Sequence, residues 1–130
     1  MRRILIVDDA PSERKLYGAY LADVPCELDY AADGVSALSK IRSFKPDIIL
    51  LDIVLPDISG FEICRLIKDD PATKKILVLM LTSLHEREDM MLAIDVHTND
   101  YLTKPISKSD LVTRVEQMLK LKDISDRLSS

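Results

Sequence analysis

Short unbroken apolar runs alternate along this chain with longer stretches in which apolar residues recur every three or four positions. Ile4–Val7 is continuous and rich in branched side chains, which predicts a strand. Residues 11–24 open on Pro11, a favoured first helical residue. Leu16, Tyr20 and Val24 recur there at i+4, predicting a helix with one apolar face. CELDYA, residues 26–31, alternates as a half-buried strand does, and Asp33 is placed to cap a helix whose face carries Ala37, Leu38 and Ile41. DIILLD, residues 47–52, is a second apolar strand. Ser59-Gly60-Phe61-Glu62 fits a capping box ahead of Ile63 and Ile67, in a helix expected to end near Asp70-Pro71. ILVLML, residues 76–81, is the third continuous strand. A box-like pattern from Ser83 to Glu86 predicts a helix to about Val96, Tyr101-Leu102 a short strand, and Ser107 to Asp110 a last helix carrying Leu111, Val115 and Met118.

Five β-α repeats imply an α/β fold, a doubly wound parallel sheet with five helices on both faces. The strands at 4–7, 47–52 and 76–81 are apolar throughout, as interior parallel strands are. Those at 26–31 and near 101 are mixed or very short, as edges are. Strand order 2-1-3-4-5, the flavodoxin-like arrangement, satisfies this; the dinucleotide-binding order would bury the second strand.

Composition narrows the picture. A chain of 130 residues, 47% apolar and 31% charged, is one ordinary globular domain. Its net charge is −4, with no basic block, which argues against nucleic-acid binding by this domain. Cys26 and Cys64 stand in unrelated contexts outside any CxxC and read as small buried or half-buried thiols. The apolar run after Met1-Arg2-Arg3 is four residues long, too short for a signal peptide or a membrane span, so the expectation is a cytoplasmic protein with no membrane partner.

Chemistry enters at the strand ends. Ligands of such sheets bind beyond the C-terminal ends of the strands, where strand order reverses, here between the first and third strands. The first strand ends in Asp8-Asp9, the third in Asp52, the fourth in Thr82-Ser83, and the fifth runs into Lys104-Pro105. A lone carboxylate closing an apolar strand is costly without a partner, and two carboxylates about 4 Å apart repel by roughly 4 kcal/mol at an effective dielectric near 20. Lys104 supplies one counter-charge. A divalent cation supplies more, and oxygen donors of this kind select Mg²⁺, Mn²⁺ or Ca²⁺, with a coordination position left for a phosphoryl oxygen.

Over roughly residues 3–121 the chain resembles the receiver domains of response regulators, the phospho-accepting modules of two-component signalling. The resemblance rests on Asp8-Asp9, on Asp52 followed by LPDISG, on Thr82-Ser83 and on DYLTKP at 100–105. It implies that Asp52 accepts a phosphoryl group from the phosphohistidine of a histidine kinase or phosphotransfer protein. It further implies that Asp8, Asp9, Asp52 and the carbonyl of Val54 hold Mg²⁺, and that Thr82 and Lys104 contact the bound phosphoryl group. Tyr101 would swing inward when Thr82 moves, Pro56 and Gly60 would shape the loop beside the acceptor, and the Lys104-Pro105 bond would be cis. Such a protein is a switch that catalyses its own phosphorylation and slow dephosphorylation, not a multiple-turnover enzyme.

The chain also departs from the family. His97-Thr98 stands where receivers carry Gly-Ala, which puts the turn before the fifth strand in question; His97 and His85 read as solvated residues. Val54 and Leu84, two positions after Asp52 and Thr82, are apolar where attacking water would pass, and predict a long-lived phosphorylated form. Met90, Met91, Leu92 and Ile94 either face the sheet or form a partner surface with Tyr101 and the last helix, through which a homodimer could form. The division expected is a receiver over 1–121 and a helical extension or linker over 122–130, in which Leu121, Ile124 and Leu128 make a short coiled-coil-like seam. LVTRVEQMLKLKDISDRL is similar to receivers that precede diguanylate cyclase domains. The chain is then either a piece of a regulator with an output domain, or a single-domain regulator that acts on an effector protein. Two rivals are weaker. Mg²⁺-dependent phosphohydrolases place an Asp nucleophile in a DxD after the first strand, where this chain has DDAP, and flavin or dinucleotide domains need a glycine pattern that Gly18, Gly34 and Gly60 do not form. An inactive receiver is disfavoured because every key residue is present.

Overall fold

The computed structural model describes residues 1–83 and 98–129. Five strands, β1 (Arg2–Val7), β2 (Cys26–Ala31), β3 (Ile48–Asp52), β4 (Leu77–Thr82) and β5 (Asp100–Thr103), form one parallel sheet in the order β2-β1-β3-β4-β5. Four helices are described: α1 (Pro11–Tyr20), α2 (Gly34–Ser43), α3 (Gly60–Asp69) and α4 (Lys108–Ser129). The helix expected between Ser83 and Val96, with Leu84, His85, the Met90–Ile94 cluster and His97, lies outside the described residues.

Strand alternation sorts the core into two halves. Leu5, Val7, Ile49, Leu51, Val78 and Met80 face α2 and α3, where Ala37, Ile41, Ile63 and Ile67 meet them. Ile4, Ile6, Ile48, Leu50, Leu79 and Leu81 face α1 and α4, against Tyr17, Leu21, Leu111, Val115 and Met118. The three central strands are thus covered on both faces, the reason Ile4–Val7, Ile48–Leu51 and Leu77–Leu81 run apolar without a break.

Local chemistry sets the element ends. Asp33 caps α2 by accepting from the Ser36 amide at 2.7 Å, and Ser107 Oγ accepts from the Asp110 amide at 3.1 Å ahead of α4. The box at Ser59 forms differently from expectation: Ser59 Oγ accepts from Phe61 N at 3.1 Å, and Glu62 turns to Arg65 at 3.0 Å. Helix α1 departs further. It ends at Tyr20, four residues early, where the amides of Ala22 and Val24 bond three residues back, to Ala19 and Leu21, and tighten the chain into turns. Tyr17 is its buried residue and Leu21, just past its end, is buried as well, while Leu16 is 44% exposed. Thr98, in place of a small apolar residue, ties the entry to β5 with its hydroxyl, donating to Val78 O (3.2 Å) and Asp100 O (3.0 Å).

At its far end α4 runs without a break through residue 121 and beyond. Leu121, Ile124 and Leu128 are exposed there, and Arg2 reaches Asp123 and Asp126 at 2.9 and 2.6 Å.

Candidate functional site

The sheet register carries the strand-end residues to one rim. Val7 pairs with both Ala31 and Leu51, so Asp8 leaves β1 beside the end of β3. Asp52 pairs with Leu81 and Thr82 with Thr103, so Lys104 leaves β5 next to the end of β4. The Lys104 amide donates to the Thr82 carbonyl at 2.6 Å, and the Lys104-Pro105 peptide is cis.

The Lys104 ammonium sits among three carboxylates. Nζ is 3.0 Å from Asp8 Oδ2 and 3.3 Å from Asp52 Oδ2, and it also donates to Glu13 Oε2. The other oxygens are held by backbone: Asp8 Oδ1 accepts from the Ala10 amide at 3.0 Å, and Asp52 Oδ1 from the Val54 amide at 3.2 Å. Asp8 is 1% exposed and Asp52 7%. Gly60 opens α3 against the end of β3. A Cβ there would stand 2.3 Å from the Asp52 carbonyl oxygen, so glycine is what lets the helix approach the strand end that carries Asp52.

The remaining expected residues lie around this centre. Thr82 is buried at the end of β4, Tyr101 is 38% exposed on β5, and Val54 and Pro56 are exposed in the loop after β3. Asp9 is exposed and stands outside the trio of Asp8, Glu13 and Asp52, whose oxygens all lie within 4.8 Å of one another. Glu13 is the member that sequence reasoning missed. The signal for it was helix direction: side chains in a helix lean toward its N-terminus, so an acid in the first turn after Pro11 is carried back to the end of β1.

Burial governs the electrostatics. Desolvation pushes the Asp8 carboxyl above the ordinary range, aided by its bond with Glu13 and opposed by the Ala10 amide and Lys104. Glu13 is held below its ordinary value by hydrogen bonding to Asp8 and to Lys104. Asp52 is raised by burial and by the Asp8 charge, against the pull of Lys104. For Lys104, burial alone would lower the ammonium, but Glu13, Asp8 and Asp52 outweigh it and the net shift is upward. The Tyr17 hydroxyl, buried close by, is pushed up to about 12.

The donor set fits a hard divalent cation. An ion about 2.0–2.6 Å from each oxygen places its ligands roughly 3–5 Å apart, and the three carboxylates meet that spacing. They are the sole such group of three acids, histidines or cysteines among the described residues. No described helix is long and apolar enough to cross a membrane.

Comparison with known proteins shows the family. The family model for the response regulator receiver domain matches residues 4–116. The response regulator PleD of Caulobacter vibrioides is 40% identical over 126 residues, covering 97% of this chain and 28% of that protein. The DNA-binding dual master transcriptional regulator RpaA of a Synechocystis species is 36% identical over 123 residues, 95% of this chain and 51% of that protein. The chain therefore spans between about a quarter and a half of the length of these curated relatives. Among solved structures, a signal receiver domain from Vibrio parahaemolyticus superposes with a TM-score of 0.93 at 30% identity, covering 100% of this chain and 99% of that one. The chemotaxis protein CheY4 of Vibrio cholerae gives a TM-score of 0.84 at 30% identity, over 91% of this chain and 98% of that one.

Proposed function

The chain belongs to the response regulator receiver domain family of two-component signalling, and from that premise we propose that it is a phospho-accepting switch whose acceptor is Asp52. A carboxylate oxygen of Asp52 attacks the phosphorus of a phosphohistidine on a histidine kinase or phosphotransfer protein. The P–N bond breaks, the electron pair leaves with the imidazole nitrogen, and an aspartyl phosphate remains. Such transfer depends on positioning and on neutralising charge far more than on covalent work by the protein. The observation that carries the reading is the meeting of Lys104 with Asp8 and Asp52 at a rim built from three strand ends.

Asp8, Asp52 and the carbonyl of Val54 would hold Mg²⁺, with Asp9 contributing from the exposed side. When bound, the ion would offset the carboxylate charge and that of the incoming phosphoryl oxygens. Lys104 then has a phosphoryl oxygen to pair with, and Thr82 one to donate to. A Thr82 drawn toward the phosphoryl group leaves room for Tyr101 to turn inward, and the surface of β5 and α4 changes. The signal would pass along that surface, or through the extension at 122–130, to an output domain, an effector protein or a second copy of the chain. The similarity to RpaA, a DNA-binding regulator by name, fits a receiver that works through a separate output module. The setting proposed is the cytoplasm.

The test is incubation with acetyl phosphate and Mg²⁺ followed by intact mass. A gain of one phosphate that is absent in Asp52→Asn is expected. Continuous turnover of phosphate esters would favour a phosphohydrolase instead, and a gain that persists in the variant would move the acceptor elsewhere.

A further inference from the structure

We propose that Glu13 is a third carboxylate of the divalent-cation pocket, sharing the ion's charge with Asp8 and Asp52 and setting how tightly the ion is held. This rests on the reading of that pocket as a Mg²⁺ site. The residues that the family resemblance carries over to the pocket are Asp8, Asp9, Asp52 and Val54; Glu13 comes from the geometry of this chain.

Three observations place it there. First, the turn that bears Glu13 is fastened to Asp8. The Ala10 amide donates to Asp8 Oδ1 at 3.0 Å, the Arg14 guanidinium donates to the Asp8 carbonyl at 2.6 Å, and the amides of Glu13 and Arg14 both donate to Ala10 O at 3.1 Å. The start of α1 cannot drift from the end of β1 without breaking these bonds. Second, a Glu13 oxygen lies within 4.8 Å of oxygens from both Asp8 and Asp52, and its side chain is 34% exposed, so it lines the open side of the pocket. Third, it holds the same ammonium as they do: Lys104 Nζ contacts all three carboxylates.

The charge arithmetic gives Glu13 its consequence. Around Lys104 the three carboxylates leave two negative charges where Asp8 and Asp52 alone would leave one, and the exposed Asp9 adds its own in either case. Glu13 also offers Lys104 a resting place at the rim. An ion that enters between Asp8 and Asp52 displaces the ammonium from those oxygens, and Glu13 keeps it next to the position a phosphoryl oxygen would take. The contribution to the ion is made either by direct contact or across one water. Residues that support a metal site from such positions typically account for about 10- to 100-fold in metal affinity.

The experiment is calorimetric titration of Mg²⁺ and Mn²⁺ into the full chain, Glu13→Gln and Glu62→Gln at one ionic strength, with thermal unfolding in EDTA to verify that each variant is folded. Glu62 pairs with Arg65 on α3 and serves as a charge-removal control. Glu13→Gln should bind both ions about 10- to 100-fold more weakly, with Glu62→Gln matching the unsubstituted protein. Affinity equal to or tighter than wild type in Glu13→Gln overturns the proposal, as does an equal loss in Glu62→Gln, which would reduce the effect to net charge. A wild-type chain that binds neither ion would sink the functional reading itself. A wild-type chain that binds metal and takes up phosphate, alongside an unaffected Glu13→Gln, would sink the role of Glu13 alone.

Discussion

Lys104 and Asp52, 52 positions apart in the chain, meet with Nζ 3.3 Å from Oδ2 at the end of a strand whose other four residues are fully buried and apolar. The contact does not cancel the cost of burying the acid, because burial and the Asp8 charge still hold the Asp52 carboxyl above its ordinary range. The sign follows directly. An acid whose folded pKa exceeds its unfolded value costs nothing at low pH, where both states are protonated. It lowers stability increasingly as pH rises from the unfolded value, about 3.9, to the folded one. Asp52→Asn should therefore melt higher than wild type at neutral pH in EDTA. A relief of about 1 kcal/mol corresponds to roughly 3–6 °C in a chain of this size. The gain should vanish near pH 3, and scanning calorimetry across pH measures it; a variant less stable than wild type at pH 7 would contradict the account.

Removing the other partner has the opposite effect. Lys104→Ala leaves Asp8, Glu13 and Asp52 facing one another without their shared cation. Breaking a buried pair in this way costs about 3–5 kcal/mol. The loss should be largest at neutral pH, shrink as the carboxyls are protonated, and be partly restored by millimolar Mg²⁺ if the ion takes over the role of counter-charge. Urea unfolding with and without Mg²⁺ reads both effects.

Gly60 offers a prediction about space rather than charge. A methyl group at this position would meet backbone on the far side, at 2.3 Å from Asp52 O and 2.7 Å from Ile53 Cα, and backbone cannot rotate away as a side chain can. Gly60→Ala should lose about 1–3 kcal/mol, the usual cost of overpacking. It should also slow uptake of phosphate from acetyl phosphate, since α3 can yield only by shifting the strand end that bears Asp52. Normal uptake in a folded Gly60→Ala protein would show that the corner is not what positions the acceptor.

The parts of this structure that were legible in the sequence are those fixed by one dominant pattern. The largely apolar strands expected at 4–7, 47–52 and 76–81 read as interior, which leaves β2 and β5 as edges and gives the strand order. Asp8, Asp52 and Lys104 could be read because each follows directly from a strand end. The failures lie where two patterns competed. Over residues 11–24 the series Leu16, Tyr20, Val24 and the series Tyr17, Leu21, Val24 are both nearly helical in spacing. The second won because Tyr17 and Leu21 reach the sheet, which periodicity alone does not reveal. Glu13 was missed for a different reason: its place in the first turn carries it back toward the end of β1, but its contact with Lys104 depends on the angle at which α1 leaves β1, a property of the assembled fold.

Under the proposed function, Val54 would bear on the lifetime of the phosphorylated state. Its amide holds Asp52 Oδ1 while its side chain is 61% exposed, so the side chain can be exchanged with little packing penalty. An isopropyl group beside the acceptor neither orients nor polarises water. Val54→Asn should shed phosphate several-fold faster than wild type after acetyl phosphate is removed, followed by intact mass over time. An unchanged rate would assign control of water to another residue.

The last prediction concerns how α4 is held where it leaves the sheet. Up to Met118 the helix is pinned by Leu111, Val115 and Met118 in the core. Past that point Leu121, Ile124 and Leu128 are exposed and burial has little left to contribute. The charged tie on this end is Arg2, the first residue of β1, whose guanidinium bridges Asp47 before β3 (3.3 Å) with Asp123 and Asp126 on α4 (2.9 and 2.6 Å). The Asp123 and Asp126 bonds push the Arg2 pKa further up, and Arg2 in return holds the Asp126 carboxyl below its ordinary range. Exposed pairs of this kind contribute little to global stability and are screened by salt. Arg2→Ala should therefore leave the melting temperature nearly unchanged while amide exchange accelerates over residues 121–129 and stays slow over 111–118. High salt should produce the same selective acceleration in the wild-type chain. Equal exchange in Arg2→Ala and wild type would mean that the end of α4 is held by Lys122, whose ammonium donates to Lys75 O at 3.0 Å, or by its own helical propensity, and that β1 has no grip on this segment.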